Sequence, residues 1–95
     1  MIALGLCTIE LQIPGVRSLK EKRRVVRSLV TRVRNEYNVS VAEVGDLDKW
    51  QLATIAVSCV SSDARHVHRL LERIANGVES GRDGLVLLDY TIELL

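Results

Sequence analysis

Aromatic side chains are almost missing: the 95 residues hold no phenylalanine, one tryptophan and two tyrosines. That scarcity argues against RNA recognition by a sheet whose exposed rings stack the bases. Proline occurs once, at Pro14, and glycine six times, which excludes a collagen-like, low-complexity or linker-rich chain. Cysteine occurs twice, as Cys7 and Cys59, too few for the disulfide scaffold of a secreted miniprotein. The uncharged start from Met1 to Ile9 is far shorter than the roughly 20 apolar residues of a membrane helix. It also lacks the basic start and A-x-A-like cleavage site of a signal peptide. The expectation is a cytoplasmic protein with no membrane contact. What is present is ordinary for a globular chain, 47% apolar and 26% charged residues. The length accommodates one core and therefore one domain over residues 1–95.

The net charge of +1 conceals a division. Between Gly15 and Glu36 stand eight bases (Arg17, Lys20, Lys22, Arg23, Arg24, Arg27, Arg32 and Arg34) against two acids, Glu21 and Glu36. The rest of the chain holds five bases and ten acids. A basic segment is joined to an acidic remainder, and that asymmetry is the first pointer to a partner.

Hydropathy sets the elements. From Cys7 onward, the stretch Ala3 to Ile13 places Cys7, Ile9, Leu11 and Ile13 on one face and Thr8, Glu10 and Gln12 on the other, the pattern of a half-buried strand. Pro14-Gly15 stops it. Ser18-Leu19-Lys20-Glu21 is a capping box opening a helix over 18–37, whose Leu19, Val26, Leu29, Val30, Val33 and Tyr37 share one stripe. A second strand is expected over Val39–Val44, a turn at Gly45-Asp46-Leu47-Asp48, and a third strand over Gln51–Ser61. Ser62-Asp63 caps a second helix with Val67, Leu70, Leu71, Ile74 and Val78 as its apolar stripe. A loop over Asn76–Gly84 leads to a last strand, Leu85–Leu95, with Leu88, Tyr90, Ile92 and Leu94 opposite Asp89, Thr91 and Glu93. With right-handed crossovers this order predicts an α+β, ferredoxin-like βαββαβ sandwich. Its four-stranded antiparallel sheet has the order 4-1-3-2, with two helices on one face. The opposite face is expected to be polar and somewhat acidic, built from residues such as Thr8, Glu10, Gln12, Thr54, Ser58, Asp89, Thr91 and Glu93.

The first helix carries the strongest chemical signal. At about 100° per residue, Lys20, Arg23, Arg24, Arg27 and Arg34 fall in a band about 100° wide beside the apolar stripe, a geometry that can follow a row of phosphates. The bland reading is a solvated helix face. Against it, Lys20, Lys22, Arg23 and Arg24 occupy the first two turns, where the helix dipole already presents positive charge and each base costs about 0.3–1 kcal/mol at low salt. Bases beside free helix-terminal amides suit an anion, and nucleic acid is the anionic partner expected. Trp50, just past the hairpin turn, would stack a base or anchor a protein contact, or else cap one end of the core.

Other chemistries find no constellation. His66 and His68 are two apart on a helix and point away from one another. Cys7 and Cys59 sit at inward strand positions as small hydrophobes. Asp46 and Asp48 suit a turn better than a cation, and Gly77, Gly81 and Gly84 follow a helix rather than preceding one, so they form no phosphate loop. Glu10 and Glu93, expected on adjacent strands of the open face, lack a pocket. No catalytic residue, metal site or cofactor is expected.

The runs Leu11-Gln12-Ile13-Pro14-Gly15, Ser18-Leu19-Lys20-Glu21-Lys22-Arg23-Arg24-Val25-Val26, Asn38-Val39-Ser40-Val41-Ala42-Glu43-Val44 and Trp50-Gln51 resemble the YlxP-like family of small bacterial proteins over essentially the whole chain. The resemblance implies a ferredoxin-like fold and a bacterial, cytoplasmic origin. It implies no activity, since the family is one of unknown function; its gene neighbourhood among translation and ribosome-maturation factors agrees with an RNA partner. The function expected is a non-enzymatic module for RNA or a ribonucleoprotein, with Lys20, Arg23, Arg24, Arg27 and Arg34 on phosphates. The rival is a protein–protein module that pairs, with itself or a partner, through its sheet face or the edge strand Val39–Val44. An acylphosphatase-like enzyme on the same fold stands third.

Overall fold

The period-two alternation that starts the chain becomes β1, Ala3–Gln12, with Cys7, Ile9 and Leu11 fully buried and Glu10 and Gln12 in solvent. The computed structural model describes residues 1–81 and 83–95. Its further elements are α1 (Leu19–Glu36), β2 (Ser40–Gly45), β3 (Leu52–Ser61), α2 (Ala64–Asn76), a 3-10 turn (Val78–Ser80) and β4 (Val86–Leu94). The strands form one antiparallel sheet in the order β2-β3-β1-β4, which is the 4-1-3-2 arrangement of a ferredoxin-like fold. Cys7, Ile9, Leu11, Ile55 and Val57 from the sheet join Val26, Leu29 and Val33 of α1 and Val67, Leu71 and Ile74 of α2 in one cluster. Both helices therefore cover the same face, and the other face is open. No helix among the described residues is long and apolar enough to cross a membrane.

Gly5 fixes how closely α2 can lie on β1. A Cβ there would collide with Val67 Cγ1 and stand 2.8 Å from Leu71 Cδ1. The helix caps differ slightly from the sequence expectation. Ser18 Oγ accepts from the Glu21 amide at 3.1 Å, as in a capping box, but the Glu21 carboxylate accepts from the Arg17 amide at 3.0 Å rather than from Ser18. Asp63 Oδ1 caps α2 by accepting from the Arg65 and His66 amides. The expected loop over Asn76–Gly84 contains the 3-10 turn at Val78–Ser80; Arg82, within that loop, lies outside the described residues.

Two register shifts change which side chains face inward. Glu10 pairs with Asp89 but Leu11 pairs with Leu87, so Leu88 is an extra residue on β4. Leu87 packs against the core and Leu88 is 52% exposed. The expectation that Leu88 lies on the buried face is thus corrected: a β-bulge interrupts the alternation. A second shift, between Glu43 and Gly45, leaves Val44 unpaired and exposed on β2.

Candidate nucleic-acid interface

The heptad-like spacing of Val26, Leu29 and Val33 presses one side of α1 onto the sheet and turns the opposite side to solvent. Lys20, Arg23, Arg24, Arg27 and Arg34 are all exposed. None of the five is in an ion pair with a described residue. Arg34 donates to the Val41 carbonyl of edge strand β2 at 3.4 Å, so it is tethered toward the sheet edge while the other four extend outward. Arg24 and Arg27 line a shallow surface depression with Ser28, Thr31, Arg32 and Asn35. These neighbours supply hydroxyl and amide donors between guanidinium groups and include no acid, a donor set suited to phosphate oxygens. The sequence reading missed Ser28, Thr31 and Asn35, although their spacing of three to four residues from the arginines placed them on the same strip. Arg32 is partly held, donating to the Ser80 hydroxyl and the Val78 carbonyl, both at 3.2 Å.

Lys22 does not belong with these bases. Its side chain is 1% exposed, and Nζ lies 3.0 Å from Glu43 Oε2 and donates to the Asp46 carbonyl. The Glu43 contact is an ion pair without hydrogen-bond alignment, since Oε2 accepts from no donor among the described residues. The use of Lys22 as part of a basic first turn open to an anion is corrected: at about 100° per residue it falls within the apolar stripe, four before Val26 and seven before Leu29. Glu43 alternates with the inward Val41 and meets it there. At this end of α1 the Glu21 amide is engaged by the Ser18 hydroxyl.

The Lys22 contact also orders the β2–β3 hairpin. Asp46 sits in the left-handed region at φ 58°, which Asp tolerates better than most residues. Its backbone carbonyl accepts from the Lys49 amide at 3.0 Å. Its carboxylate accepts from Thr54 Oγ1 at 3.3 Å and pairs with Lys49 Nζ at 3.4 Å, so its oxygens are occupied by the turn itself. Downstream, Gln51 Nε2 donates to the Val16 carbonyl at 3.2 Å and the Gln51 carbonyl accepts from the Ile13 amide at 2.8 Å. These bonds hold Trp50 at the end of the molecule where α1 begins. Trp50 is 51% exposed and lies outside the core cluster.

The open sheet face pairs Glu10 with Asp89 directly across β1 and β4. Glu93 stands opposite Leu6, so Glu10 and Glu93 lie on adjacent strands of the open face, as the alternation predicts, without facing each other directly. On the buried face, burial pushes the Cys7 thiol up from 9.0 to about 11 and raises Cys59 in the same direction, so both remain protonated and poorly nucleophilic at neutral pH.

A family model described as "Protein of unknown function (DUF503)" matches residues 4–92. The "Uncharacterized protein YlxP" of Bacillus subtilis (strain 168) is 36% identical over 77 residues, covering 81% of this chain and 84% of that protein. Among solved structures, the de novo designed protein Foldit4 matches with a TM-score of 0.55 over 100% of this chain and 97% of its own, at 17% identity. At that identity the likeness concerns the fold alone.

Proposed function

Because the chain belongs to the DUF503 family of proteins of unknown function, no activity comes to it from its relatives, and we propose from its own residues that it is a non-enzymatic module binding RNA or a ribonucleoprotein. The observation that carries this reading is the exposed band Lys20, Arg23, Arg24, Arg27 and Arg34, free of ion pairs with described residues. A helix kept only for its buried face gains nothing from five like charges crowded on the other. In this reading Arg24 and Arg27, with the hydroxyls around them, hold phosphates, and Trp50 lies against a base or ribose at the α1 end.

The test is a triple substitution, Lys20→Gln, Arg24→Gln and Arg27→Gln, compared with neutralisation of Arg65, Arg69 and Arg73 on α2 as a charge-matched control. Removing mutually repelling bases should leave stability unchanged or raise it by about 0.5–2 kcal/mol at low salt. Affinity for single-stranded RNA should fall for the α1 variant and much less for the control. In the unsubstituted protein, log affinity should decline with log salt at a slope near −3.5 for about five phosphate contacts. A flat salt response, or a lower melting temperature with affinity intact, rejects this assignment.

A further inference from the structure

The two sides of the molecule carry opposite charge. The open face holds Glu10, Asp89 and Glu93, all exposed, and no lysine or arginine among the described residues. Its central floor is made of small side chains, Thr8, Ala42 and Ala56, which the pairing places side by side across β1, β3 and β2. One end adds exposed apolar surface at Leu4 and Val60, which face each other across β1 and β3. A flat, acid-lined floor of this kind accepts a helix whose outer face is basic. The chain itself possesses one.

We propose that the open sheet face receives the basic α1 band of a second copy of this chain, so that copies associate head to tail. Charge complementarity selects this arrangement over sheet-to-sheet pairing, which would set the Glu10–Asp89 carboxylates of one copy against those of the other, a like-charge contact. The α1 band and the open face lie on opposite sides of the sheet, so two copies cannot satisfy both contacts reciprocally. The interface is heterologous, and association extends unless a ring closes. Exposed ion pairs are individually weak, so the association is weak and strongly salt-dependent.

Analytical ultracentrifugation of nuclease-treated protein tests it, independently of any RNA affinity. Two variants are needed: a face variant (Glu10→Gln, Asp89→Asn, Glu93→Gln) and a helix variant (Arg23→Gln, Arg24→Gln, Arg27→Gln). All six side chains are exposed, and melting curves confirm that both variants fold. At about 20 mM salt, where charges act over roughly 20 Å, the unsubstituted protein should show a mass that rises with concentration; at about 500 mM it should be monomeric. Each variant alone should remain monomeric. Mixed in equal amounts they should form a 1:1 pair and nothing larger, because the intact helix of the face variant meets the intact face of the helix variant. An unsubstituted protein that stays monomeric at low salt, a mixture that stays monomeric, or a dimer that survives neutralisation of α1 overturns the proposal.

Discussion

At the scale of single residues, Lys22 shows how charge and position compete in a sequence. Counted by sign it is one of a run of bases; placed on the helix it belongs to the core, and Glu43 opposite is the carboxylate that makes its burial tolerable. The periodicity held that information for both residues, but it becomes a pair only when β2 is placed against α1, a contact no local pattern encodes. Lys22→Ala should cost about 3–5 kcal/mol in urea unfolding, because it strands a mostly buried carboxylate. Lys22→Met combined with Glu43→Leu should recover most of that loss, since apolar replacement of a whole buried pair is often neutral or stabilising. A double variant as unstable as Lys22→Ala would mean that the contact to the Asp46 carbonyl, rather than the ion pair, is what matters. Cys7 makes a prediction of its own. Its folded-state pKa of about 11 stands above the ordinary 9.0. The unfolded chain therefore loses its proton first as pH rises, and stability present below pH 9 should decline between about 9 and 11. Cys7→Ser should shallow that alkaline decline in a chemical-denaturation series.

At the scale of elements, nearly every strand and helix was legible within a residue or two, because their apolar periods are clean and the breaks at Pro14-Gly15 and Ser62-Asp63 are chemically distinct. The last strand shows the limit. Val86-Leu87-Leu88 is apolar throughout, so alternation cannot say which leucine points inward, and the bulge opposite Glu10 decides it. Leu87→Ala should destabilise by about 2–3 kcal/mol, whereas Leu88→Ala should change stability by no more than about 0.5 kcal/mol; thermal melts of the two variants distinguish them. Gly5 was equally silent in the sequence. Its role depends on Val67 and Leu71 of α2, distant in the chain, lying where a side chain would be. Gly5→Ala should cost about 1–3 kcal/mol by overpacking, and an unchanged melting temperature would show that Val67 and Leu71 have room to move.

At the scale of the whole molecule, the alternation of the strands predicted an acidic open face opposite the basic helix, and the structure sets the two on opposite sides of the sheet. The helices bring the α1 band together with Arg65, Arg69 and Arg73 of α2, all exposed, while Glu10, Asp89 and Glu93 occupy the far side of the sheet. The site is legible to the same extent: its bases were, because they share one helix, and its link to Trp50 was not, because that rests on Gln51 reaching back to Val16 and Ile13. Repulsion within the basic layer opposes folding. Raising salt from about 20 to 200 mM should therefore stabilise dilute monomeric protein by about 0.5–1 kcal/mol, several degrees in melting temperature for a domain of this size. A melting point that falls over that range would show that attractive surface pairs outweigh the repulsion.

The burial of Lys22 also turns the chain into its own reporter of opening. The three lysines are Lys20, Lys22 and Lys49. Lys20 is exposed and the Lys49 side chain is 62% exposed, whereas Lys22 is sealed against Glu43 and Asp46. An acylating reagent should modify the first two quickly. It can reach the third only when α1 and the β2–β3 hairpin part. The delay before Lys22 itself carries an acyl group, read by peptide mass spectrometry, then measures how often that joint comes undone in the native protein with no denaturant added.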